Sequence, residues 1–224
     1  KKIMQSDLIQ ILLKETVNTL YMVSTAFFFS CAIGGMLGLG LFCTSPKSLN
    51  PKKSLYATIS MILSFLTAIP FAILIVILFP ITRWIVGTSL GPTASIVPLT
   101  IGAIPFVVTI VVDAFRNSAL NYLESAVALG IPKRNILFGI LLPESYPQLI
   151  FSLKSLVVHL ISCSTLAGFV GGGGLGQLLL QYGYYRFEWS VTTSVLVITL
   201  VLIESVRILG DFWGRRVLKY RGIL

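Results

Sequence analysis

The sequence predicts an all-α polytopic membrane protein with five transmembrane helices. Of its 224 residues, 55% are hydrophobic and only 11% are charged, and the mean hydropathy is +0.91. Long charge-free stretches recur along the chain, and a helix needs about 20 mostly apolar residues to cross the hydrocarbon core of a bilayer. We therefore expect a single transmembrane domain over residues 1–224.

Five stretches are long and apolar enough to be spans. The predicted spans cover residues 17–42, 55–81, 93–115, 146–170 and 191–213. Gly91 and Pro92 separate the second span from the third. Pro70 and Pro80 lie inside the second span, where each would kink the helix or open it locally. The segment 116–145 joins spans three and four.

The distribution of Lys and Arg predicts the orientation in the membrane. The segments after spans one, three and five carry ten of them: Lys47, Lys52, Lys53, Arg116, Lys133, Arg134, Arg215, Arg216, Lys219 and Arg221. The opposite face carries five: Lys1, Lys2, Lys14, Arg83 and Arg186. Because positively charged loops stay in the cytoplasm, we expect the N-terminus outside and the C-terminus inside. None of these clusters is a dense basic run with aromatics, which argues against nucleic-acid binding.

A polar stretch, NYLESAVALGIPKRNILFGILLPE, lies in the predicted cytoplasmic segment between spans three and four. Asn121 and Glu124 have the spacing of a capping box, which predicts a short helix that begins at Asn121. Gly130 can end this helix in a left-handed conformation, and Pro132 follows just beyond. Pro132 can then open a second short helix through Phe138. We expect both helices at the membrane surface.

This short helix needs a partner surface, because a helix of about eight residues is only marginally stable in water. The side chains expected to pack against the spans are Leu123, Ala126, Val127 and Ile131. Those expected to face outward are Glu124, Ala128 and Lys133. An outward helix with a mixed face is typical of a docking element, and a connecting loop that happens to be helical explains the same pattern.

The segment resembles the EAA motif of binding-protein-dependent ABC importer permeases. The residues that match the motif are Glu124, Ala126, Gly130, Ile140, Leu142 and Pro143. Ser125 stands where the family usually has alanine. The resemblance implies a type I ABC importer permease in which this segment is the coupling helix. That helix seats in a cleft of a separate ATP-hydrolysing subunit.

Three further stretches, at 64–74, 86–106 and 166–184, resemble the methionine-importer branch of this family. Its permeases are short chains with five spans. Thr67 is a departure, since a basic residue is expected there. The resemblance implies two copies of the permease, two ATPase subunits and an extracytoplasmic methionine-binding protein, with D- or L-methionine as cargo. Another small solute, such as a phosphonate or an osmolyte, and an ATPase-independent secondary transporter are the alternatives.

The sequence contains no phosphate-binding loop of the form G-x-x-x-x-G-K-[ST]. We therefore expect no cofactor in this chain, with ATP and Mg bound by the partner ATPase, and a transport subunit that is not an enzyme. No arrangement of a nucleophile and a base is apparent, so no catalytic residue is predicted. Cys31, Cys43 and Cys163 lack Cys or His partners at metal spacing, so no metal site is predicted either.

Two groups of glycines could have a structural role. Gly171, Gly172, Gly173 and Gly174 form a candidate gate or hinge in the outer loop between spans four and five. A simple turn explains them equally well, because glycine suits both. In span one, Gly34, Gly35 and Gly38 would allow another helix to approach closely. We expect packing within the chain there, in preference to dimerisation.

Three charged residues in span five, Glu204, Arg207 and Asp211, share one helical face. At this spacing Arg207 could bridge both carboxylates as a structural ion-pair group. A contact to span four is the alternative. Lys154, in span four, is expected to extend toward the lipid headgroups.

Overall fold

The structure, a computed structural model, describes residues 5–46 and 51–220. Its description does not extend to the side chains of residues 5–7, 119–122, 124 and 220. The described residues are nearly all helical, and none of them forms a strand. This confirms the predicted all-α class.

Eight α-helices follow one another along the described residues. They are α1 (Gln5–Thr44), α2 (Lys53–Ala68), α3 (Phe71–Val86), α4 (Pro92–Ala128), α5 (Lys133–Asn135), α6 (Leu142–Phe169), α7 (Gly174–Leu178) and α8 (Trp189–Tyr220). A π-helical turn, Ile136–Leu141, joins α5 to α6, and a second, Leu179–Tyr184, follows α7.

Three of the described helical stretches are long and apolar enough to cross a membrane: Leu8–Thr44, Pro92–Ser118 and Lys133–Phe169. The pair α2 and α3 is a fourth if the two helices count as one span. Helix α8 covers the predicted fifth span. The count of five crossings stays a prediction.

The predicted second span, 55–81, is not one continuous helix. It breaks between α2 and α3, whose axes differ by 107°. Pro70 lies at the break with φ −55° and ψ 133°. Proline has no N–H to donate and disfavours helical geometry in the residue before it, so α2 ends at Ala68. Pro80, by contrast, lies inside α3 without ending it.

The chain divides into two compact units. Of the described residues, the first unit contains 5–29, 69–103 and 157–207. Its core includes Leu175, Leu178, Val191 and Val195, which are nearly inaccessible to solvent. Partly buried side chains of α1, including Leu8 and Leu12, pack against this cluster. Apolar residues far apart in the sequence therefore hold this unit together.

Of the described residues, the second unit contains 30–46, 51–68, 104–156 and 208–220. In it α1 packs closely against α4 at two glycines. A Cβ at Gly34 would lie 2.8 Å from the Cβ of Val107, and one at Gly38 would lie 2.8 Å from the Cβ of Val111. A Cβ at Gly35 would meet nothing within 4 Å. Packing within the chain through small residues is thus confirmed at two of the three predicted glycines.

Candidate functional site

The segment between α4 and α6 contains the residues that resemble a coupling helix. The predicted helix start at Asn121 is wrong, because α4 continues without a break from Pro92 to Ala128. Between Phe115 and Asn121 the sequence has neither proline nor glycine, so nothing ends the helix there. Asn121 is therefore an interior helical position, and the first half of the segment is the last two turns of α4.

The predicted end of this helix is confirmed. Gly130 has a φ of +71°, its N–H donates to the Val127 carbonyl at 3.0 Å, and the Ile131 N–H donates to the Ala126 carbonyl at 3.2 Å. These two bonds form a Schellman motif, which satisfies carbonyls that the helix end leaves without partners. The chain therefore reverses at a fixed geometry just after the Ala126 turn.

The second half of the segment begins at Pro132, as predicted, but does not stop at Phe138. Pro132 precedes α5, and the π-helical turn then continues into α6. Ile136 and Leu141 are buried in this turn. No glycine or proline interrupts the apolar run after Gly139 until Pro143, which is compatible with the first turn of a helix. The predicted short helix and the predicted fourth span are thus one continuous helical element.

The exposure of the segment partly follows the prediction. Ala126 is buried and Ile131 half-buried, whereas Ala128 and Lys133 are exposed, as expected. Val127 was expected to pack inward and is instead 56% exposed. Successive side chains of a helix point about 100° apart, so Val127 lies to one side of the face that Ala126 buries.

The residues of the motif occupy different environments. Ser125, Gly130 and Pro143 are exposed, Ile140 and Leu142 are half-buried, and Ala126 is buried. The side chain of Glu124 lies outside the described residues. Two large apolar side chains close to the motif, Leu129 and Phe138, are 77% and 53% exposed. The segment therefore presents an uncovered apolar surface beside a rigid turn.

Two contacts between α4 and α6 hold the base of this segment. The Ser145 hydroxyl lies 3.0 Å from that of Ser118, and both are buried. The Asn117 amide donates to the Gln148 side-chain oxygen at 3.1 Å. The buried contact between Ser118 and Ser145 ties α4 to α6 at the base of the segment, since polar bonds away from water are costly to break.

The glycines at 171–174 form a closely packed turn, which agrees with the simple-turn alternative. Gly171, Gly173 and Gly174 have φ values of +85°, +81° and +75°. The Gly91 N–H donates to the Gly171 carbonyl at 2.9 Å. A Cβ at Gly172 would overlap the Ser95 side chain. A hinge role for these glycines stays a prediction.

Two side chains of α1 bind the start of α7, which follows this turn. Glu15 Oε2 accepts a hydrogen bond from the Gly174 N–H at 2.7 Å. The Thr19 hydroxyl oxygen accepts one from the Leu175 N–H at 2.9 Å. They serve as caps for the first N–H groups of the helix, and a negative charge there is favourable.

The three charged residues predicted to form one ion-pair group on span five belong to two separate ion pairs in the structure. Arg207 Nη1 lies 3.5 Å from Glu204 Oε2, and both side chains are more than half exposed. Asp211 pairs with Lys154 of α6 instead. The alternative contact to span four is thus observed, and Lys154 takes part in it. Gly210 lies against Lys154, so the absence of a side chain on α8 allows α6 to approach.

Sequence reasoning missed one polar cleft, which is lined by residues of α2 and α4. Asp113 and Arg116 lie on it, one at the end of the predicted third span and the other just after it. Thr67, where the sequence departs from the methionine-importer branch, also lies on it. The sequence signal that could have revealed the cleft was the helical spacing of polar residues within apolar helices.

Within residues 5–46 and 51–220, no group of three or more His, Cys, Asp or Glu side chains could hold a metal ion.

Comparison with known proteins places the chain in a family. Residues 36–219 match the profile of the family described as binding-protein-dependent transport system inner membrane component. A Vibrio cholerae protein described as a probable D-methionine transport system permease, MetI, is 37% identical over 214 residues, which are 96% of this chain and 94% of that protein. The methionine import system permease protein MetP of Bacillus subtilis is 37% identical over 196 residues, which are 88% of each chain.

The fold agrees with this match. A chain from the inward-facing MetNI methionine ABC transporter superimposes with a TM-score of 0.92. It is 36% identical, and the match covers 96% of this chain and 99% of that one. The chain belongs to the family of binding-protein-dependent transport system inner membrane components, and is a permease component of an ABC transporter.

Proposed function

We propose that this chain is the permease subunit of an ATP-driven importer that carries D- or L-methionine across the inner membrane. The observation that carries the proposal is the 37% identity, over 96% of the chain, to a permease described for D-methionine transport. The TM-score of 0.92 to a chain of a methionine ABC transporter supports it.

Transport proceeds by alternating access. ATP and Mg bind to a separate ATPase subunit, which hydrolyses the ATP, while this chain has no cofactor of its own. Closure of two such subunits draws the coupling segments of two permease copies together and turns the spans outward, and hydrolysis resets them. ATP can shift this equilibrium only through contacts that differ between the two states. The exposed surface around Leu129 and Phe138, fixed by the cap at Gly130, is suited to make such contacts.

The working assembly contains two copies of this permease, two ATPase subunits and an extracytoplasmic methionine-binding protein. The N-terminus lies outside and the C-terminus in the cytoplasm, which places the segment 116–145 on the side where ATP is available. The excess of Lys and Arg after spans one, three and five supports this orientation.

The test of this function is uptake in liposomes. The chain is reconstituted with its ATPase and loaded binding protein, and uptake of labelled methionine is compared with that of phosphonates and osmolytes. We expect ATP-dependent uptake of methionine. ATP-dependent uptake of another solute would support an ATP-driven importer but would show that its cargo is not methionine. Uptake that is indifferent to ATP and to the ATPase would mean a secondary transporter.

Coupling through the segment has its own test, the variant Gly130→Ala. Gly130 has φ +71° with open space around its Cβ position, so alanine there meets no clash but is strained by about 1–2 kcal/mol. We expect ATPase stimulation and uptake to fall while the protein still inserts. The matched control is Gly139→Ala in the same segment, where a Cβ also meets nothing within 4 Å and φ is not positive. Equal activity of the two variants would contradict the coupling role of the cap.

A further inference from the structure

A polar cleft opens in the second unit between α2 and α4. Its volume is about 210 Å³. The lining residues are Leu41, Tyr56, Ser60, Leu63, Ser64, Thr67, Val108, Thr109, Val112, Asp113 and Arg116. Most of this lining belongs to stretches that are otherwise apolar enough to lie in lipid, so the polar side chains need an explanation.

These polar residues form one stripe on each helix. The stripe of α2 consists of Tyr56, Ser60, Ser64 and Thr67, and the stripe of α4 consists of Thr109, Asp113 and Arg116. Steps of three and four residues keep each set on one helical face. Helix α2 has no buried residue, and Asp113 and Arg116 are exposed. The two stripes therefore border an open space instead of packing into a core.

The charges in the cleft are of opposite sign and are not paired with each other. The Arg116 Nη2 donates a hydrogen bond to the Tyr56 hydroxyl oxygen at 3.2 Å. Among the residues that the structure describes, the Asp113 carboxylate has neither a hydrogen-bond donor nor a cation as partner. Asp113 lies at the end of the predicted third span, and an ionisable group within a membrane helix is costly and therefore a candidate functional site.

The geometry suits a ligand with two neighbouring charges. Asp113 and Arg116 lie one turn apart on α4, which places their Cβ atoms about 5–6 Å from each other. The Tyr56 hydroxyl accepts from Arg116 and keeps its own proton for a second acceptor. A carboxylate can thus bind Arg116 and Tyr56 together, while an ammonium on the adjoining carbon binds Asp113. Leu41, Leu63, Val108 and Val112 supply apolar surface for the rest of the ligand.

We propose that this cleft is a binding site for a zwitterionic α-amino acid with an apolar side chain, occupied during transit through the permease. Asp113 binds the ammonium group, Arg116 and Tyr56 bind the carboxylate, and the serine and threonine hydroxyls complete the polar wall. The inference rests on the proposed import of methionine and adds where the cargo binds within this chain.

The first experiment measures binding. The full chain is placed in nanodiscs of phosphatidylglycerol, which has no ammonium group, and labelled methionine is titrated by equilibrium dialysis. We expect saturable binding, weakened about tenfold or more by Asp113→Asn and by Arg116→Gln, since each loses a charge-assisted bond. The matched controls are Glu204→Gln and Arg207→Gln, which alter an exposed pair outside the cleft and should leave the affinity unchanged.

Analogues of the ligand separate direct contact from a folding defect. The wild type should bind 4-(methylthio)butanoate, which lacks the ammonium, and 3-(methylthio)propylamine, which lacks the carboxylate, more weakly than methionine. Asp113→Asn should no longer discriminate against 4-(methylthio)butanoate but should still discriminate against 3-(methylthio)propylamine. Arg116→Gln should show the opposite pattern. Arg116→Lys should retain part of the discrimination against the amine. Equal loss for all ligands, or displacement of methionine by soluble phosphoethanolamine but not by other amino acids, would overturn the site.

Uptake in the reconstituted system distinguishes this inference from the proposed function. Methionine uptake that is unchanged in both cleft variants would overturn the binding site and leave the methionine importer intact. Uptake of a different zwitterionic amino acid, lost in both variants, would support the site and replace methionine as cargo. Uptake of a solute that lacks either charged group would overturn both.

Discussion

At the scale of single residues, two glycines of α1 decide how closely α4 can approach. A Cβ at Gly34 would lie 2.8 Å from Val107 Cβ and 3.0 Å from the Ile104 carbonyl oxygen. Backbone cannot move aside as a flexible side chain can, so we expect Gly34→Ala to destabilise the protein by about 1–3 kcal/mol. Thermal unfolding in detergent measures this. Gly35→Ala, which meets nothing within 4 Å, is the control, and equal melting temperatures would refute the packing argument.

The ion pair of Lys154 with Asp211 gives a second residue-scale prediction. The side chains are 25% and 42% exposed, compared with 57% and 62% for Arg207 and Glu204. In a double-mutant cycle on the free energy of unfolding, with Lys154→Met and Asp211→Asn, we expect a coupling of about 1 kcal/mol. The partial exposure of Asp211 keeps it this small.

The exposed pair of α8 serves as the reference for that cycle. Arg207→Met with Glu204→Gln should show a coupling near zero, because water screens charges that are this accessible. A coupling of the same size for both pairs would mean that the contact of α6 with α8 contributes nothing beyond a surface ion pair.

At the scale of elements, the turn at 171–174 depends on a neighbouring helix for its geometry. Glu15 accepts a hydrogen bond from the Gly174 N–H, so Glu15→Ala should leave that N–H without a charged partner. We expect its hydrogen-exchange protection to fall about tenfold or more, because such bonds contribute roughly 1.5–3 kcal/mol. Glu204→Ala, at an exposed site, should change nothing. Unaltered exchange in Glu15→Ala would show that the glycine contacts alone hold the turn.

Also at the scale of elements, sequence patterns predicted some helix ends correctly and others incorrectly. Gly130 and Pro132 were correctly predicted to stop one helix and open the next, because their backbone restrictions act locally. Asn121 failed as a start signal, because a capping residue permits a helix to begin but does not end the one before it. Pro70 ends α2 while Pro80 lies within α3. Proline alone does not reveal which of these will happen.

At the scale of the whole molecule, the charge asymmetry predicts which loops face the cytoplasm. Lys133 and Arg186 are both exposed and lie on opposite predicted faces. In a background with Cys31, Cys43 and Cys163 replaced by alanine, we expect a membrane-impermeant maleimide to label Arg186→Cys in intact cells. Lys133→Cys should be labelled only in inside-out vesicles. The reverse pattern would invert the topology and remove the coupling segment from the ATPase side.

Composition and long apolar runs determined the membrane class, and local residue chemistry determined the cap at Gly130 and the motif around it. These properties depend on the solvent and on neighbours a few residues away, so the sequence displays them directly. The partner of Asp211, the caps of α7 and the cleft between α2 and α4 could not be predicted in this way. Each depends on residues tens of positions apart, and only the packing of the helices decided which of the many charge and polar pairings would form.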